Sequence, residues 1–133
     1  MRQLVFAFML VAGGSLIGCQ HSPAGPTNAV ISGRWMGGGA CLSVTDAMCT
    51  LVVGCGHGQF PPPLIRADGG FDVDGTYRIE VGPISIDPPP SAHFSGSFTG
   101  SRLILNVMPS GTLSPASYSM TPASPGICSV LCV

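Results

Sequence analysis

Six cysteines and three histidines carry most of the chemistry open to this 133-residue chain. Their tightest grouping is Cys55-Gly56-His57. A thiolate beside an imidazole is a ligand pair for zinc or copper, which makes Cys55 and His57 the candidate metal ligands. The spacing is not the CxxC of a standard zinc site, and an oxidised sulfur is no ligand. The preferred reading is therefore a disulfide, with His57 in a tight turn between Gly56 and Gly58 and no metal bound. Asp72-Val73-Asp74-Gly75 invites a calcium reading, in which the two aspartates take positions three and five of an EF-hand loop and Gly75 position six. Position one then falls on Gly70 and position twelve on Val81, so two ligands are missing and the match fails. Nucleophilic catalysis needs a serine, a histidine and an acid brought together. Serines are plentiful, but none sits in a GxSxG elbow, and His93 beside Phe94 is expected to project outward from a strand. The acids cluster on one polar face, which does not suit a paired-carboxylate glycosidase. No catalytic residue or cofactor is assigned, and no pocket joining a histidine to a serine or an acid is expected.

What the sulfurs do depends on the compartment, and the first nineteen residues address that. Arg2 precedes an apolar run from Leu4 to Ile17 that closes on Leu16-Ile17-Gly18-Cys19. A cationic start, a short apolar core and a small residue before the cut are the marks of a secretory signal. The core is too short for a span, which needs about 20 apolar residues. Leu16-Ile17-Gly18-Cys19 also resembles the lipobox of bacterial lipoproteins. The resemblance implies cleavage before Cys19, acylation of that cysteine and attachment to a membrane by lipid. It also implies the outer membrane, where the cell has one, because Gln20 rather than an aspartate follows the cysteine. Residues 1–18 are thus expected to be a signal peptide, helical in form. Residues 19–29 are the lipidated cysteine and a flexible tether that includes His21, and residues 30–133 form one β domain.

Outside the cytosol, cysteines pair. With Cys19 taken by lipid, Cys41, Cys49, Cys55, Cys128 and Cys132 remain as disulfide candidates, enough for two bridges and one odd thiol. A hairpin centred on Thr45 would set Cys41 opposite Cys49, so that cross-strand bridge is sterically reasonable. Cys49 and Cys55 stand about 20 Å apart along an extended strand and cannot pair directly.

The elements that position these groups read as short strands. Charged residues are only 8% of the chain, against about 25% in an ordinary domain. No basic cluster is present to hold nucleic acid. Nineteen glycines and thirteen prolines rule out long helices. From Val30 onward, period-two runs alternate with turn residues, the pattern of an antiparallel β protein. Strands are expected over Val30 to Gly37, Cys41 to Val44, Cys49 to Cys55, Phe71 to Val81, Ala92 to Thr99, Arg102 to Met108 and Ala116 to Met120. Trp35 is expected in the core, Pro61-Pro62-Pro63 at an edge or crossing, a bulge at Gly75 and a two-residue hairpin at Gly100-Ser101. Closed up, about seven or eight strands make a small all-β barrel or a two-sheet sandwich.

Several of these segments together resemble a group of small secreted bacterial proteins. They are Gly33-Arg34-Trp35, Cys55-Gly56-His57-Gly58, the run from Gly70 and Phe71 to Gly75-Thr76-Tyr77, Gly82-Pro83, Ala92 to Gly96, and a C-terminal cysteine. The resemblance implies a pairing of Cys55 with a C-terminal cysteine, Cys128 or Cys132, and implies no activity. Cys41 and Cys49 are additions to that pattern. The Gly33-Arg34-Trp35 start also resembles the GxW of lipocalin-like barrels, over three residues only. The expected function is that of a lipid-anchored envelope protein, a non-enzymatic binding or structural module whose ligand or protein partner is not specified. The alternative is an extracytoplasmic metal-binding or redox protein using Cys55, His57 and further cysteines.

Overall fold

A computed structural model describes residues 32–80, 87–129 and 132. The signal segment, Cys19, the tether, Val30 and Val81 lie outside the described residues. Eight strands follow in chain order: β1 (Gly33–Gly37), β2 (Ala40–Val44), β3 (Cys49–Val53), β4 (Gly56–Phe60), β5 (Gly70–Ile79), β6 (Ser91–Thr99), β7 (Arg102–Pro109) and β8 (Ala116–Ala123). Each pairs antiparallel with the next, and β1 pairs with β8, so the sheet closes into a barrel. Closure is the expected all-β architecture in its barrel form, and it leaves no free strand edge.

Alternation decides which side chains enter the barrel. On β5, Phe71, Val73 and Tyr77 point inward while Asp72, Asp74 and Arg78 face solvent. On β7, Leu103, Leu105 and Val107 are buried between exposed Arg102, Ile104 and Met108. An eight-stranded barrel is just wide enough for its own side chains, and here they fill it. Phe60 stacks on Phe94 at 4.3 Å, and Trp35 meets Phe98 edge-on at 5.5 Å. Inward glycines make room for these rings. A Cβ on Gly96 would collide with the Ile104 carbonyl oxygen, and one on Gly75 with the Gln59 carbonyl oxygen and the Phe60 and Phe94 side chains. The register of β5 on β6 runs unbroken from Gly70↔Ser97 to Thr76↔Ser91, so Gly75 marks a close approach rather than the expected bulge.

Two further expectations change. Gly56-His57-Gly58 is a strand, not a tight turn: His57 sits in the ladder between Val52 and Arg78. The turn falls one step earlier, at Gly54-Cys55, where Gly54 takes the left-handed φ of 55° that favours glycine. The β2–β3 hairpin is not centred on Thr45 either. Thr45 Oγ1 accepts from the Met48 amide at 3.2 Å while the Thr45 amide donates to the Met48 carbonyl at 3.0 Å, closing a turn over residues 45–48. Val44 therefore faces Cys49, and Cys41 faces Val52. The change is an odd number of residues, which moves side chains to the opposite face. Cys41 points outward and Cys49 inward, so they cannot bridge.

Candidate functional site

The strands run alternately up and down, which sorts their connections to two ends of the barrel. At one end lie the start of β1, the 45–48 turn, residues 61–69, the Gly100-Ser101 turn and the exit of β8. Buried Trp35, Ile65 and Phe71 close this end. At the other end, the mouth, lie the β1–β2 turn, the Gly54-Cys55 turn, the end of β5, the start of β6 and residues 110–115.

Two cysteines beyond β8, Cys128 and Cys132, are bonded back to the barrel. β8 leaves at the closed end, and Arg34 Nη1 donates to the Ile127 carbonyl at 3.2 Å. Cys128 then bonds Cys41, and Cys132 bonds Cys55 at the mouth. Cys41 and Val52, neighbours on the outer face, are only 1% and 6% exposed, and the Cys41 sulfur is bonded to Cys128. Two bridges and one odd thiol are what the cysteine count leads one to expect. The Cys55–Cys132 bridge is also the kind of pairing that the resemblance implies. The odd thiol is Cys49, packed among the inward apolar residues, where burial pushes its pKa up from 9.0 to about 12.

Of the candidate metal pair, Cys55 is spent on Cys132, and a bonded sulfur offers no thiolate. His57 instead lies on the outer face with its Nε2 at 3.4 Å from Glu80 Oε2, while Arg78 holds the other Glu80 oxygen at 2.9 Å. His93 faces outward as expected, with Nδ1 at 2.8 Å from Asp74 Oδ1 and Nε2 at 3.8 Å from Asp72 Oδ1. Arg66 Nη1 in turn donates to Asp72 Oδ2 at 2.8 Å. Both histidines thus meet acids, and, contrary to the expectation of no pocket joining a histidine to a serine or an acid, His93 and Asp74 line one concavity of about 650 Å³ with Ser91 and Ser110. That concavity is open to solvent: the Asp74 side chain is 92% exposed and that of His93 42%, so their pair is worth little energy. Among the described residues, no three His, Cys, Asp or Glu side chains converge as metal ligands would.

A small cleft of about 50 Å³ lies beside His57, Thr50, Gln59 and Arg78, and an apolar pocket lies at the mouth. The mouth pocket, of about 120 Å³, is lined by Tyr77, Ile79, Val107, Leu113, Ala116 and Tyr118, together with Pro109 and Ser114. Burial raises both tyrosine pKa values, and the proximity of Tyr118 adds to the rise at Tyr77. The Tyr77 hydroxyl packs against the backbone of Gly56, and Tyr118 lies near Gly38. A shallower groove of about 400 Å³ continues from the pocket through Ile79 and Leu113 to Arg78, Pro90 and Ser110. The mouth was not legible as a site from the residues, since it joins the ends of β5, β7 and β8 with a loop far apart in sequence. The usable signal was the placing of the two tyrosines near strand ends on inward positions.

Comparison of the chain with protein-family models, with curated proteins and with solved structures returns no match. The reading of function therefore rests on the residues and their geometry.

Proposed function

We propose that the protein is a lipid-anchored, non-enzymatic binding module of the bacterial cell envelope. It is fastened through acylated Cys19 at the outer membrane where one exists, and it uses the barrel mouth as its binding surface. The observation that carries the reading is the state of the sulfurs. Four of the five cysteines downstream of Cys19 pair into two bridges, Cys41–Cys128 and Cys55–Cys132, and the fifth is buried. That arrangement suits a chain folded in an oxidising space, and it agrees with the export signal and lipobox-like run before Cys19. The topology supports it as well. β1 begins at the closed end, so a tether leading into β1 would leave the mouth turned away from the lipid.

The test is fractionation of cells expressing the wild type and Cys19→Ala, with labelled palmitate. The wild type should pellet with membranes and carry label. The variant should lose the label and either appear in the soluble envelope fraction or stop at the unprocessed precursor. A Cys19→Ala protein that still carries lipid would refute the anchor. If the purified wild type has three or more free thiols and binds metal, the alternative role for Cys55 and His57 takes precedence.

A further inference from the structure

We propose that the barrel mouth is a binding site for a small, uncharged molecule built on a single aromatic ring. The proposal rests on the binding-module reading but not on the lipid anchor. Three features of the pocket define the ligand class. The first is size: about 120 Å³ is the scale of one six-membered ring, since a cavity of about 150 Å³ holds benzene.

The second is depth. Two residues inward along β7 from Val107 comes Leu105, and with Leu51 and Phe94 it is 0% exposed. Those side chains form a floor, so an extended acyl chain has no channel to enter. The site differs in this from a barrel with a hollow interior.

The third is the chemistry of the walls. Ile79, Val107, Leu113 and Ala116 supply apolar surface, and Tyr77 and Tyr118 supply rings against which another ring packs edge-on or offset. The phenols and Ser114 are the side chains able to hydrogen-bond a polar substituent. Among the described residues, no charged side chain lines the pocket. Arg78 in the neighbouring groove is already held by Glu80 through two hydrogen bonds, at 3.1 and 2.9 Å, so a carboxylate ligand would have to displace that partner. A neutral ring with one donor or acceptor, of the phenol or benzyl alcohol kind, fits all three features.

The chain supplies its own reporter, because Tyr77 and Tyr118 are its only two tyrosines and both line the pocket. The full protein is produced with 3-fluorotyrosine and held in lipid nanodiscs, or free in buffer if it proves to carry no lipid. Its fluorine spectrum is followed while phenol, benzyl alcohol or palmitate is added. Phenol and benzyl alcohol are expected to shift both resonances saturably, and palmitate to leave them unmoved. Ala116→Phe, which fills the pocket from the first residue of β8, should raise the apparent Kd for phenol at least tenfold with the melting temperature retained. Leu113→Ala, in the 110–115 loop outside the ladder, gives a second variant that leaves the strand pairing intact, and it should weaken phenol binding severalfold. The proposal is overturned if neither ring compound gives a saturable shift below about 10 mM. It is equally overturned if palmitate binds better than phenol, or if both variants bind phenol as the wild type does. A failed lipid-labelling experiment would leave these outcomes unaffected.

Discussion

The two bridges cross in sequence, and this gives a distinctive prediction for their removal. Cys41–Cys128 closes a separation of 87 residues and Cys55–Cys132 one of 77. In the chain-entropy description, a bridge closing a loop of that size restrains the unfolded chain by about 4.5 kcal/mol. While the other bridge stands, the closed path is much shorter. It runs 14 residues from Cys41 to Cys55 and 4 from Cys128 back to Cys132, about 18 in all. A loop of that length corresponds to about 3 kcal/mol. Replacing either pair by alanines should therefore cost about 3 kcal/mol, and replacing both about 7.5 kcal/mol, more than the sum of the two single-pair losses. The larger figure is comparable with the whole stability of a small domain, about 5–15 kcal/mol, so the bridgeless protein should be unfolded or nearly so. Urea titration read by Trp35 measures this directly, since it is the only tryptophan and 4% exposed in the folded protein. Losses under about 1 kcal/mol for each pair, or a bridgeless protein no weaker than the singles imply, would refute the reasoning.

Other expected outcomes follow from single positions. The Cys49 thiol, at about 12 in the folded protein against 9.0 otherwise, resists ionisation that the unfolded chain allows. Its contribution to stability is complete below about pH 9 and declines as pH rises toward 12, by up to about 1.4 kcal/mol per unit. Cys49→Ala should flatten this decline between about pH 8.5 and 9.5, where the tyrosines of the unfolded chain, with an ordinary value of 10.0, are still mostly protonated, as urea titrations at both pH values would show. Gly96→Ala sets a methyl against the Ile104 carbonyl oxygen, part of a paired strand, and should cost at least about 2 kcal/mol by thermal unfolding. Arg66→Ala removes ion pairs to Asp72 and Asp68 whose side chains are all more than half exposed, and denaturant titration should register less than about 1 kcal/mol.

The barrel was readable where inward positions carry bulk. Phe71, Val73 and Tyr77 on β5 and Leu103, Leu105 and Val107 on β7 alternate with polar or exposed neighbours, and a period of two needs little else. β4 escaped the same reasoning because two of its three inward residues are Gly56 and Gly58, which leave room for Tyr77 and Phe94 instead of contributing side chains. A strand whose inner face is empty has no visible period. The misplaced Cys41–Cys49 pairing had a different origin. Register depended on whether the turn closed at Thr45 or ran on to Met48, and hydrogen bonds of a single threonine decided it. The pairing of Cys41 with Cys128 was beyond local reasoning, since it depends on where β8 leaves the barrel. The mouth pocket was hidden for the same reason.

The central claim is that this is an exported, oxidised barrel whose C-terminal cysteines are bonded back to it and whose N-terminal cysteine carries lipid. Mass spectrometry of the native protein, alkylated without reduction and then digested, tests it most directly. The account predicts a chain beginning at an acylated Cys19, with peptides linked Cys41 to Cys128 and Cys55 to Cys132, and alkylation confined to Cys49 after unfolding. An unmodified chain beginning at Met1 with all six cysteines alkylated would contradict it.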